Sequence, residues 1–172
     1  EKLAALGGQS AIGHVRYSTT GGSEAVNIQP LVANYLRGWV AVAHNGNLTN
    51  GPALRRQCEE QGSIFQTTTD SEVILHLLAR PSSAPFLSHL SHVLSQLQGA
   101  FSLLFLTPEG MICARDPLGV RPLSLGKAGD AWVVASETAA FRMTGVEFVR
   151  DLKPGEIFQV SARGCDSFLY PP

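Results

Sequence analysis

With 172 residues, 44% apolar and 16% charged, the chain is long enough for one domain with a real core and too short for two. A net charge of −1, with no Lys/Arg cluster, excludes an electrostatic footprint for nucleic acid or an anionic membrane surface. The longest apolar runs, such as 40–43 and 103–106, are far too short to span a bilayer, and three cysteines without a CxxC indicate neither a disulfide framework nor a zinc site.

A cytoplasmic home follows most simply from that cysteine usage. The chain opens on Glu1 and closes on Pro171-Pro172, so we expect a piece of a longer protein.

In chain order, 10–19 alternates as a strand, with His14, Arg16 and Ser18 on one face and Val15 and Tyr17 on the other. Residues 31–36 form a short strand, and Trp39 to His44 a firm one ending at Asn45-Gly46. A helix follows, capped by Thr49 or Asn50, with Pro52 in its first turn and Gly62 as its stop. Thr69-x-x-Glu72 has capping-box spacing ahead of an amphipathic helix that ends before Pro81. Leu87, Leu90, Leu94 and Leu97 carry another helix to Gly99. Beyond it the apolar period changes to short strands at 100–106, 111–114, 123–125, 132–135 and 157–160, with a short helix over 136–142. Strands, then helices, then a meander of strands argue for segregated α+β layers.

The chemistry-bearing residues gather in three polar islands at 13–20, 44–47 and 68–72. Arg16 is either a bidentate clamp for a carboxylate or a structural ion pair. Asn45-Gly46 is either a type I′ hairpin turn or, with an amide beside a flexible N–H, an oxyanion hole. Asp70 is either a first-turn carboxylate answering a helix dipole or an acceptor for an ammonium group. His14 and His44 read as satisfied core histidines as readily as bases, and His89 and His92 lack a third ligand nearby. Cys58 and Cys113 fall on apolar faces and Cys165 in a polar loop, so no convincing nucleophile accompanies the islands. The 116–122 stretch is a rigid turn between two prolines. Its charges, Arg115, Asp116 and Arg121, form a local ion-pair network or face another domain.

Together and in this order, Gly-His-Val-Arg-Tyr-Ser-Thr at 13–19, Asn27-Ile28-Gln29-Pro30, residues 43–50 and residues 69–76 resemble the glutaminase domain of class II glutamine amidotransferases. Residues 114–123, 134–138 and 149–156 are similar to the amidophosphoribosyltransferase family in particular. Glucosamine-6-phosphate synthases share the early islands but typically carry tryptophan where Tyr17 stands, and they lack the Asp-Pro-x-Gly-x-Arg-Pro-Leu stretch. The resemblance runs from about Gly8 to about Val160.

That resemblance implies a four-layer αββα sandwich of the N-terminal-nucleophile hydrolase type, here a partial glutaminase domain over 1–172, truncated at its N-terminus. In that family an N-terminal cysteine attacks the carboxamide of glutamine with its own α-amino group as base. Carried over, Arg16 binds the α-carboxylate and Asp70 the α-ammonium of glutamine. Asn45 and the Gly46 N–H hold the oxyanion, and Tyr17 and His14 line or brace the pocket. The expected partners are glutamine, a phosphoribosyltransferase domain of the same parent chain that uses Mg2+, and further copies of the protein; no nucleic acid or membrane partner is expected. Within this chain no cofactor is expected. Some members carry an iron–sulfur cluster, but its ligands would lie beyond this C-terminus, and Cys165 is no evidence for one. Two functions remain open: a glutaminase domain serving phosphoribosylamine synthesis, or an inactive glutamine-binding or partner-docking fragment without the cysteine nucleophile.

Overall fold

The computed structural model describes residues 7–15 and 24–171. Among them are four α-helices and nine strands, the strands forming two antiparallel sheets. Strands β1 (Leu31–Tyr35), β2 (Gly38–Leu48), β3 (Gly99–Thr107), β4 (Gly110–Arg115), β8 (Glu156–Ser161) and β9 (Gly164–Leu169) build the larger sheet in the order β1-β2-β3-β4-β8-β9. Strands β5 (Ser124–Ala128), β6 (Ala131–Ala135) and β7 (Glu147–Asp151) build the smaller, in the order β6-β5-β7.

The layers follow from the side-chain alternation of the central strands. On the large sheet Val40, Val42, Leu103, Phe105, Ile112 and Ile157 point to one side. They pack there against helices α1 (Gly51–Glu60), α2 (Glu72–Ala79) and α3 (Phe86–Leu94). Cys113 and Phe158, one position out of phase, point to the other side and meet Leu123, Leu125 and Leu152 from the small sheet. Strands buried on both faces read as near-continuous apolar runs, which is why 101–106 shows so little alternation. Each fully buried Phe or Leu contributes roughly 1.5–3 kcal/mol relative to exposure. On the outer face of the small sheet, a side chain at Gly126 would press on Phe141 of α4 (Ala139–Thr144) and on Val146. Helix, sheet, sheet, helix is the four-layer sandwich the resemblance implies.

Several local expectations change. Residues 10–15 form no strand, and the remainder of that expected strand lies outside the described residues. β2 does not end at His44: it runs through Asn45-Gly46 in unbroken register with β3, which removes the hairpin-turn alternative. The Glu72 carboxylate does not close a box on Thr69. It accepts the N–H groups of Gln66 and Thr67 at 2.9 and 2.7 Å, and the Thr69 N–H goes to Thr67 Oγ1. The leucine-rich helix stops at Leu94 rather than at Gly99. Cys165 lies in β9, not in a loop. β7 and β9 are mostly exposed edge strands, whose sequences carry no buried face to announce them.

Candidate active site

Strand β2 outruns its neighbour. The last β1 pair is Leu31 with Val42, whereas β2 stays paired with β3 as far as Leu48 opposite Gly99. Successive N–H groups on an antiparallel strand point to alternate sides. Those of His44, Gly46 and Leu48 therefore face the side that β1 has vacated. The His44 N–H donates to Gln29 Oε1 at 2.7 Å and the Leu48 N–H to Asp70 Oδ2 at 2.8 Å. The Gly46 N–H falls between them, at the mouth of a cleft of about 710 Å³. Gly46 holds φ +150°, and a Cβ there would collide with the Ala100 carbonyl oxygen, so only glycine lets β2 and β3 approach this closely.

Below that edge lies a buried polar network. Ser71 Oγ accepts from Gln29 Nε2 at 3.1 Å, stands 2.9 Å from His44 Nδ1, and reaches Asp70 Oδ1 at 3.4 Å. His44 is 4% exposed. Burial pushes its imidazole down to about 4; the Asp70 carboxylate opposes that, while His14 and Arg121 reinforce it. His44 is accordingly neutral at pH 7. His14 Nε2 is 3.1 Å from the His44 carbonyl oxygen, which ties the irregular 7–15 segment to β2 just before Asn45.

The facing wall comes from the small-sheet side, with Arg121, Glu137 and Met143. Arg121 ends a loop ordered by its own backbone. Asp116, fully buried, accepts the N–H groups of Leu118, Val120 and Arg121, and the Arg115 guanidinium donates to the carbonyls of Gly119, Arg121 and Leu152. No ion pair links Arg115, Asp116 and Arg121 among the described residues, which removes the ion-pair alternative; side-chain-to-backbone bonds hold the loop instead.

Comparison with known proteins gives the family. A glutamine amidotransferase domain model matches residues 14–143. The chain belongs to the glutamine amidotransferase domain family. Amidophosphoribosyltransferase of Bacillus subtilis is 46% identical over 167 residues, covering 96% of this chain and 35% of that protein. The solved structure of the B. subtilis glutamine phosphoribosylpyrophosphate amidotransferase complexed with ADP and GMP superposes with a TM-score of 0.85 at 43% identity, covering 92% of this chain and 34% of that one. An allosteric regulatory enzyme of purine biosynthesis gives a TM-score of 0.87 at 45% identity, again over 92% and 34%. The chain thus spans about a third of the length of these relatives.

The cleft gathers His14, Asn45, Gly46 and Asp70 from the sequence-derived set. Arg16 and Tyr17 lie outside the described residues. Asp70 precedes Ser71, the N-cap of α2, and its carboxylate takes a strand N–H instead of serving the helix. Gln29, Ser71 and Arg121 also belong to this site and escape sequence reasoning, although all three stand inside the stretches that carry the family resemblance. A lone glutamine or serine carries no local signal for the partner it will meet across the fold. None of Cys58, Cys113 and Cys165 lines the cleft, and burial pushes the Cys113 thiol well above its ordinary range.

Proposed function

We propose that this chain is the glutamine-hydrolysing part of an amidophosphoribosyltransferase. It would supply ammonia to phosphoribosyl pyrophosphate to form 5-phosphoribosylamine, the first step of purine synthesis. The observation that carries this reading is the convergence of Asn45, the Gly46 N–H and the Asp70 carboxylate on one cleft, in a chain 46% identical to such an enzyme.

In this reading Arg16 takes the α-carboxylate of glutamine and Asp70 its α-ammonium, so the carboxamide lies along the β2 edge. A cysteine thiolate adds to the carboxamide carbon, and the C=O electron pair moves onto oxygen. That oxyanion is held by the Asn45 amide and the Gly46 N–H, while His14 and Tyr17 brace the pocket. The C–N bond then breaks, the departing nitrogen takes the proton that the attacking cysteine's own α-amino group had removed from its thiol, and a thioester remains for water to hydrolyse to glutamate. Ammonia passes to the phosphoribosyltransferase domain, where Mg2+ would serve.

No cysteine of this chain lines the cleft, so we further infer that these 172 residues alone bind glutamine without turning it over. The test is ammonia release by the full-length polypeptide and by this chain. Asn45→Ala in the full-length polypeptide should cost about 10²–10³ in kcat, as loss of one oxyanion donor does elsewhere. A variant keeping most of its activity overturns the assignment. Ammonia release by the isolated chain overturns the second inference.

A further inference from the structure

We propose that Gln29 and Ser71 are positioning residues that lock the oxyanion edge of β2 to the ammonium-binding carboxylate of Asp70; the proposal rests on the glutaminase reading above. Gln29 spends both ends of its amide on this task. Its Oε1 replaces the missing β1 partner of the His44 N–H at 2.7 Å, and its Nε2 donates to Ser71 Oγ at 3.1 Å. One rigid side chain thereby ties the residue before Asn45 to the residue after Asp70. Gln29 and Ser71 are both buried, Ser71 to 1% exposure.

The Ser71 hydroxyl has one proton to give. Beside an anion a hydroxyl turns that proton toward the charge. Its oxygen then accepts from Gln29 Nε2 and from His44 Nδ1–H, and its proton points to Asp70 Oδ1 at 3.4 Å. With Oδ2 taken by the Leu48 N–H, both carboxylate oxygens are held in place, each with a lone pair left for a substrate ammonium. The two residues therefore act on different parts of glutamine. Ser71 orients the group that binds the ammonium, and Gln29 orients the strand segment that holds the oxyanion.

The experiment is steady-state glutaminase kinetics of the full-length polypeptide, with inhibition by glutaramate, which is glutamine without its α-amino group. Ser71→Ala should raise KM for glutamine about tenfold with kcat within threefold, while the glutaramate inhibition constant stays unchanged. Ser71→Thr, which keeps the hydroxyl, should return KM to within threefold of the parent. Gln29→Ala should instead lower kcat by about 10–100-fold, the scale of a misplaced reacting group. Should Ser71→Ala fail to fold, Ser71→Cys, slightly larger and with only a weak S–H donor, should show the same KM rise. Equal weakening of glutamine and glutaramate marks a merely structural role and overturns the proposal. So do parent-like kinetics in both Ser71→Ala and Gln29→Ala while Asn45→Ala is inactive. An active Asn45→Ala overturns the underlying reading and this proposal with it.

Discussion

The Asp70 carboxylate accepts the Leu48 N–H at 2.8 Å, two residues along the same strand edge from Gly46. One side chain therefore presents a negative charge to the cleft and terminates the β2 edge on which Asn45 and Gly46 lie. Asn at this position keeps an acceptor for Leu48 but loses the charge. We expect Asp70→Asn to weaken glutamine binding by roughly 10–100-fold, the value of a charge-assisted hydrogen bond, with little change in melting temperature. Asp70→Ala should lose about 1–3 kcal/mol of stability as well, because the Leu48 N–H is left without its acceptor. Calorimetric titration with glutamine and a thermal melt separate the two effects.

Gly46→Ala should be more damaging than any conservative change at its neighbours. The added methyl group meets the Ala100 carbonyl oxygen at a backbone angle that L residues rarely adopt. The expected cost is about 2–4 kcal/mol, from backbone strain and overpacking together. Chemical denaturation should show it as a lower midpoint. A midpoint matching the parent would mean that β2 and β3 are further apart than described.

Acid should destabilise the fold in two stages. His44 titrates near 4 when folded and near 6.5 when unfolded, so between these values the unfolded chain binds a proton that the folded chain refuses. The His44 contribution is fully present above about pH 6.5 and is lost progressively as pH falls toward 4. Glu156 follows lower down. Burial would raise its carboxyl, but the Arg150 guanidinium at 2.6 and 2.8 Å and the Lys153 N–H outweigh that and hold it below the usual 4.5. Its contribution is lost as pH falls below 4.5 through the folded value. Melting temperatures recorded from pH 7 to 3 should fall across both windows, and His44→Gln should flatten the upper one alone.

Asp116→Ala should loosen the wall that carries Arg121. Three half-buried N–H···O bonds lose one shared acceptor, so a loss of about 2–4 kcal/mol is expected, beyond the value of a single hydrogen bond. Hydrogen exchange at Leu118, Val120 and Arg121 should quicken in the variant well before exchange in β3 does. Unchanged protection there would show that the prolines alone hold the loop.

Most elements from β1 to β8, in their right order, and the three polar islands are legible in the sequence, whereas β7, β9 and the irregular course of residues 10–15 are not. Those signals are local: apolar period, capping residues, and punctuation by glycine and proline. It left Asn45-Gly46 balanced between a turn and an oxyanion hole because both need the same dipeptide. Only the pairing of β2 with β3, through partners more than fifty residues away, decided for a strand. The sequence leaves Asp70 open between a first-turn carboxylate and an ammonium acceptor; the fold adds that this carboxylate takes the Leu48 N–H across the chain. Gln29, Ser71 and the Asp116 loop were decided by the tertiary structure alone. A buried amide or hydroxyl is recognisable only by the partner that satisfies it, and that partner is set by how the layers stack.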